Sequence, residues 1–191
     1  NPLYSSHAYR WRISPRYRFN DKISMVYVLS IRNKFNDIGY VDNLVVNEEL
    51  SVPLFSIRNT YMITNVLSGS YIINNKIDFS FKFRYHLDQV ENIKFQELDN
   101  NGYLSAVSVP LTEQAYDINY TTWTSDVALN WWFAPGSQLS IVWKNGIDNE
   151  TNILRDRWLD NIEDSFNLAQ ENSLSLKIVY YLDYLYFKKK I

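Results

Sequence analysis

The sequence contains no cysteine, which removes disulfide frameworks, thiolate nucleophiles and Cys-based zinc or iron–sulfur sites together and leaves the redox compartment open. Histidine is nearly absent too. His7 and His86 are too few for a His-based metal site, and neither stands at motif spacing from a Ser or Asp partner. No stretch reaches the about 18 consecutive apolar residues that a transmembrane helix needs, so a helical span is excluded while a strand barrel is not. Charge of one sign is also lacking. With a formal net charge of -2 and a pI near 5.7, there is no global positive field to gather nucleic acid, and the one basic cluster is Lys188, Lys189, Lys190. The amino end, Asn1 to Ser6, has neither the charged start nor the apolar stretch of a signal peptide. We therefore expect a processed chain or a fragment, and favour a fragment.

What is present in quantity is aromatic. Tyr 15, Phe 10 and Trp 6 make up 16% of the 191 residues, a load that barrel girdles use heavily. The length suits one domain, 1–191. Between Lys76 and Asp88, Ile77, Phe79, Phe81, Phe83, Tyr85 and Leu87 alternate without fault with Lys76, Asp78, Ser80, Lys82, Arg84, His86 and Asp88. A period of two means strand. At about 3.3 Å per residue this strand reaches roughly 40 Å, enough when tilted by about 45° to cover a ~25 Å apolar band. The same pattern recurs across Tyr9 to Phe19, interrupted by Pro15, and from Ile23 to Arg32, where Val26 and Val28 blur the polar side. It returns from Ile57 to Ile73, with Gly69 as a candidate bend, from Thr122 to Phe133, from Gln138 to Lys144, and from Ser173 to Tyr186.

The connections alternate in length. Asn20-Asp21, Asn74-Asn75 and Ala134-Pro135-Gly136 are tight, whereas Phe35 to Ser56, Gln89 to Asp117 and Ile147 to Asn172 are long. Short periplasmic turns and long external loops are the habit of up-and-down membrane barrels. The predicted fold class is accordingly all-β, an antiparallel up-and-down transmembrane β-barrel. About seven to eight strands are expected here as part of a larger barrel, since single-chain bacterial barrels have even numbers and the count of seven calls for a strand upstream of Asn1. Parity places Lys188 to Ile191 in the periplasm. Inside the third long connection, Trp158, Leu159, Ile162 and Phe166 fall at helical spacing among Asp156, Asp160, Glu163 and Asp164, which predicts a short helix over 157–170.

Several segments carry a resemblance. Phe35-Asn36-Asp37-Ile38-Gly39-Tyr40-Val41-Asp42, then Trp132-Phe133-Ala134-Pro135-Gly136-Ser137, Val142-Trp143 and Leu176 to Leu182 resemble the carboxyl-terminal barrel domain of large Bacteroidota outer-membrane proteins. Those proteins begin with a periplasmic module similar to family 9 carbohydrate-binding domains. The resemblance implies an outer-membrane location and a barrel without an established chemical activity, linked to glycan handling or a larger envelope assembly. It supplies no catalytic residue.

If the strands run as proposed, the polar candidates for the lumen are Arg10, Arg12, Arg16, Arg18, Arg32, Lys82, Arg84, Asp126, Lys144 and Lys177. They read either as an anion-favouring path or as a plug of salt bridges in a narrow barrel. Trp11, Tyr17, Phe19, Tyr71, Tyr85, Trp123, Trp131, Trp143, Tyr184 and Tyr186 are the candidates for interfacial belts; as a sugar-stacking platform they would have to meet water instead of lipid. Leu174 to Phe187 ends in aromatics as barrel-insertion signals do, and as any lipid-facing strand near an interface does. Glu97, Asp99 and Asn101 before Gly102 offer oxygens for calcium or simply a solvated turn. No cofactor and no enzymatic constellation is expected. Expected partners are outer-membrane lipid and lipopolysaccharide, with envelope proteins or a glycan as further candidates and no nucleic acid. The alternative is a soluble antiparallel barrel or sandwich that binds a ligand against its apolar face.

Overall fold

The computed structural model describes residues 5–47, 50–99, 101–107, 111 and 113–182. Nine strands are present: β1 (His7–Ile13), β2 (Arg16–Arg18), β3 (Ile23–Asn47), β4 (Leu50–Asn74), β5 (Ile77–Leu98), β6 (Leu104–Ala106), β7 (Ile118–Ala134), β8 (Ser137–Thr151) and β9 (Glu171–Val179). A 3-10 turn spans Glu113–Tyr116, and one helix, α1, spans Trp158–Phe166. All strands join one antiparallel sheet in the order β1-β3-β4-β5-β7-β8-β9, with β2 also paired to β3 and β6 to β5. β1 and β2 occupy the same edge of β3, parted at Pro15, whose missing N–H breaks the ladder there. The sheet is therefore a meander in sequence order, as the alternating segments predict.

It is not a closed barrel. β1 and β2 pair only with β3, and β9 pairs only with β8, so both edges stay open and the closed cylinder expected from the sequence is not formed by these strands. The physical reason is the width of the sheet, seven strands along its path because β2 shares an edge with β1 and β6 lies off the path on β5. Membrane barrels begin at about eight strands, because fewer cannot wrap around their own interior side chains.

The three tight turns stand where the sequence puts them. The Asn20 Oδ1 accepts the N–H groups of Lys22 and Ile23, each at 2.8 Å, and the Asn74 Oδ1 accepts the N–H of Lys76 at 2.8 Å. At the third, Pro135 precedes Gly136, whose φ of 69° is open to glycine at little cost. The opposite end departs from expectation. The predicted loop from Phe35 to Ser56 is mostly ladder, since β3 runs on to Asn47 and β4 starts at Leu50. Likewise β5 continues to Leu98 and β8 to Thr151. Bulges explain the miss: register shifts fall at Lys34/Asp37, Tyr40/Asp42, Val45/Asn47 and Ile57/Arg58, and Asn36 takes a positive φ of 52°. Each shift flips the faces, so period-two reading ends at Arg32 although the strand does not.

The helix predicted over 157–170 is α1, shorter at both ends. The predicted last strand is seen as β9, followed by non-strand residues to Leu182; its remaining residues, with Lys188 to Ile191, lie outside the described residues. Burial is sparse and concentrated at the long-connection end. One cluster joins Ile63, Tyr85 and Leu87 with Leu29, Ile31, Tyr61, Trp123 and Ile162 of α1. A second joins Leu44, Leu54 and Phe95 with Val41, Val107, Leu111 and Tyr116.

Candidate functional site

Register, more than any single pocket, defines the chemistry of this molecule, because residues paired across antiparallel strands share a face. One row reads Arg16, Val26, Ser68, Lys82, Asp126 and Lys144; the next reads Arg12, Ser30, Thr64, His86 and Thr122; a third reads Arg10, Arg32, Met62, Asp88 and Tyr120. Arg18 lies opposite Ser24, Arg84 opposite Val66 and Thr124, and Lys177 opposite Ser140 in the row of Asn130 and Asp78. All ten polar candidates, Arg10, Arg12, Arg16, Arg18, Arg32, Lys82, Arg84, Asp126, Lys144 and Lys177, therefore occupy one face.

The other face is uncharged. From the short turns up to the row of Trp11, Ile31, Ile63, Leu87 and Thr121, it carries no Asp, Glu, Lys or Arg among the described residues. Its surface is Tyr17, Ile23, Met25, Tyr27 and Leu29, then Tyr71 and Leu67, then Phe79, Phe81, Phe83 and Tyr85, then Leu129, Val127 and Trp123, and then Ile141, Trp143, Leu174 and Leu176. Phe79, Phe81 and Phe83 form a ladder of rings with centroids 6.1 and 5.3 Å apart. They are half-buried, and β9 leaves Leu174, Leu176 and Ile178 exposed. The polar atoms that do point this way are tied to neighbours. Tyr27 donates its hydroxyl to Asn65 Oδ1 at 2.6 Å, Trp123 Nε1 donates to Ser125 Oγ at 2.8 Å, and both Trp143 Nε1 and Asn145 Nδ2 donate to Asn172 Oδ1 at 3.2 Å. Asn65 Nδ2 is buried without a partner.

Of the aromatic candidates, Tyr17, Phe19, Tyr71 and Trp131 gather at the short-turn end, and Trp11, Tyr85 and Trp123 near the other. Trp143 sits between the two groups, in the row of Val127 and Phe81. Tyr184 and Tyr186 lie outside the described residues.

Two segments fold back onto the sheet at the long-connection end, one on each face, and neither placement was legible in the sequence. α1 lies over the uncharged face. Its clamp is Asn119, whose Nδ2 donates to Ile153 O at 2.9 Å and to Asn161 Oδ1 at 2.7 Å, while Gln89 Nε2 donates to Arg155 O at 3.1 Å and the Tyr85 hydroxyl to Trp158 O at 3.0 Å. Trp123 meets Phe166 with centroids 5.3 Å apart. Below α1 an apolar groove of about 350 Å³ is lined by Tyr27, Leu67, Phe83, Tyr85 and Trp123. On the charged side the 3-10 turn is held through Asn92, which donates from Nδ2 to Tyr116 O at 2.7 Å, receives the Ser56 hydroxyl, and gives its backbone N–H to Asp117 Oδ1 at 2.8 Å. Beside it lies a cleft of about 440 Å³ lined in part by Arg58, Asp117 and Glu150.

Salt bridges on the charged face are scarce. Lys144 Nζ reaches Asp126 Oδ1 at 3.9 Å with both side chains well exposed, a geometry worth little. Asp78 accepts instead from Asn130 Nδ2 at 2.9 Å, and His86 Nδ1 meets the Thr64 hydroxyl at 2.8 Å. Of the oxygens considered for calcium, Asp99 Oδ1 accepts the N–H groups of Asn101 and Tyr103, each at 2.8 Å, as in a turn. No group of three or more His, Cys, Asp or Glu that could hold a metal occurs among the described residues.

A family model described as a domain of unknown function, DUF5916, matches residues 3–191. Comparison with curated proteins and with solved structures returns no match.

Proposed function

We propose, taking as premise that this chain belongs to the DUF5916 family, that it forms part of the wall of a bacterial outer-membrane β-barrel, with its uncharged face against lipid and its charged face toward the lumen. The observation that carries this reading is the segregation of every Asp, Glu, Lys and Arg of the sheet's lower part onto one side of a meander whose strands reach 25 residues. A charge on the hydrocarbon side near the midplane costs about 2–4 kcal/mol, so a lipid-facing wall must exclude it, whereas a water-facing wall has no such need. Spacing agrees. From Tyr71 to Tyr61 on β4, strand rise and a tilt of about 40° give roughly 25 Å, the height of an outer-membrane apolar band.

Three further observations support it. Connections are tight at one end, while at the other the β3–β4 ladder extends far beyond its neighbours and long connections join β5 to β7 and β8 to β9. α1 meets the sheet through Tyr85, Trp123, Trp158 and Phe166, about 20 Å along the tilted strands from the short turns, where an interfacial belt would stand. The free edges of β1, β2 and β9 cannot be left unpaired in hydrocarbon, so the reading requires further strands to close the sheet. The likeness of the Phe35–Asp42 and Trp132–Ser137 segments to Bacteroidota barrel domains fits the same place, as a transporter, receptor or scaffold beside glycan or protein partners of the envelope.

The competing reading is a soluble binding module, favoured by the seating of α1 on the apolar face. Fractionation separates the two. The membrane reading expects the protein to stay with outer membranes through carbonate washing, to need detergent for extraction, and to migrate differently in SDS gels before and after boiling; recovery from plain buffer as a stable species would overturn it.

A further inference from the structure

Resting on the membrane reading, we propose that the face turned to the lumen carries a path for small anions of the phosphate or carboxylate class, built on an arginine ladder along one edge. Arg10, Arg12, Arg16 and Arg18 project from β1 and β2 on the same side, and β3 adds Arg32 directly opposite Arg10. Like charges set opposite each other across a ladder repel, so this pairing is costly unless something neutralises it. Among the described residues Asp88, in the same row, feels the charge of Arg32 without forming an ion pair with it. Among the described residues no carboxylate pairs within 4 Å with Arg10, Arg12, Arg16, Arg18, Arg32, Lys82, Arg84 or Lys177; the ion pairs on this face are Lys34 with Asp37, just beyond the ladder, and Lys144 with Asp126.

The rest of the face shows that acids were available. Asp78, Asp88 and Asp126 stand on β5 and β7, across the sheet from the ladder, and β8 adds Asp148 and Glu150 on that side. β1, β2 and β3 as far as Lys34 thus carry only basic residues among the charges of this face, whereas β5 mixes Asp78 and Asp88 with Lys82 and Arg84, and Lys144 of β8 stands beside Asp126 of β7. A salt-bridge plug interleaves the two signs, as β5, β7 and β8 do and the arginine edge does not. Guanidinium groups keep their charge at any physiological pH and offer paired N–H donors matched to planar or tetrahedral oxyanions. A row of them in a water-filled passage binds an anion at each step yet lets it move to the next, the condition for selective conduction. By strand rise Arg16 and Arg18 stand about 7 Å apart along β3 and Arg12 and Arg16 about 13 Å.

The test is electrical. Full-length protein reconstituted into a planar lipid bilayer under asymmetric KCl should show a reversal potential of the sign set by chloride, and added inorganic phosphate or acetate should compete with the chloride current. The Arg10→Gln, Arg12→Gln, Arg16→Gln, Arg18→Gln variant, shown by heat-modifiable migration to have folded, should lose most of that selectivity and shift the reversal potential toward zero. Cation selectivity, absence of current from an inserted barrel, or an unchanged reversal potential in the variant overturns the anion path while leaving the membrane assignment in place. A protein that fails to enter the bilayer and extracts in plain buffer overturns both.

Discussion

Gly69 shows how closely the uncharged face is fitted. A Cβ built there would come within 2.6 Å of the Phe81 ring and 3.1 Å of the Ser24 carbonyl oxygen, so the ring occupies the space that the missing side chain leaves. Because Phe81 is itself flanked by Phe79 and Phe83, it has little room to yield. Gly69→Ala should destabilise the folded protein by about 1–3 kcal/mol, the usual range for overpacking, read as a lower urea midpoint for unfolding from detergent micelles. Asn119 makes a different case. It clamps the segment before α1 and the helix itself through buried hydrogen bonds, and its removal strands the Asn161 side chain. Asn119→Ala should loosen residues 152–166 at a cost of about 1–3 kcal/mol, seen as faster amide exchange in that stretch with the β4–β5 ladder unchanged. The alternation read from the sequence starts at Thr122, so neither the place of Asn119 on the uncharged face nor its hold on a helix more than thirty residues away was legible there.

Among the elements, β5 offers the sharpest contrast between neighbours. Phe81 and Lys82 are adjacent in the chain and opposite in face. If the uncharged face meets lipid, Phe81→Lys should cost about 2–4 kcal/mol in folding into vesicles, while Lys82→Leu should change stability by much less. Equal tolerance of the two substitutions would argue against a hydrocarbon environment on the Phe side. The alternation of β5 was complete in the sequence because no bulge interrupts Ile77 to Leu87. In β3 it was legible only to Arg32, since the bulge at Lys34/Asp37 and the positive φ of Asn36 shift the period. The Phe35–Asp42 segment reads as a loop by pattern and is a ladder by hydrogen bonding. Helix α1 was announced by the spacing of Trp158, Ile162 and Phe166, but which face it would cover had no local signature.

At the scale of the whole molecule, topology is directly testable because the chain has no native cysteine. Tyr103, 73% exposed at the long-connection end, and Asn75, in a short turn, should lie on opposite sides of the membrane. In intact cells a membrane-impermeant maleimide should label Tyr103→Cys, while Asn75→Cys should be labelled only after the outer membrane is opened; simultaneous labelling of both in intact cells would contradict the proposed orientation. What the sequence by itself determined was strand class, the short turns, and the sorting of charged from apolar residues along each strand, because these depend on a two-residue period and on Asn, Pro and Gly turn chemistry that act locally. Only the tertiary structure decided that every strand's charged side falls on one common face, that the arginines of β1 and β2 line an edge without acids, that α1 and the 3-10 turn settle on opposite faces, and that these strands leave the sheet open. Those outcomes depend on cross-strand register, on bulges that reset it and on strand number, and each is a relation between residues far apart in the chain.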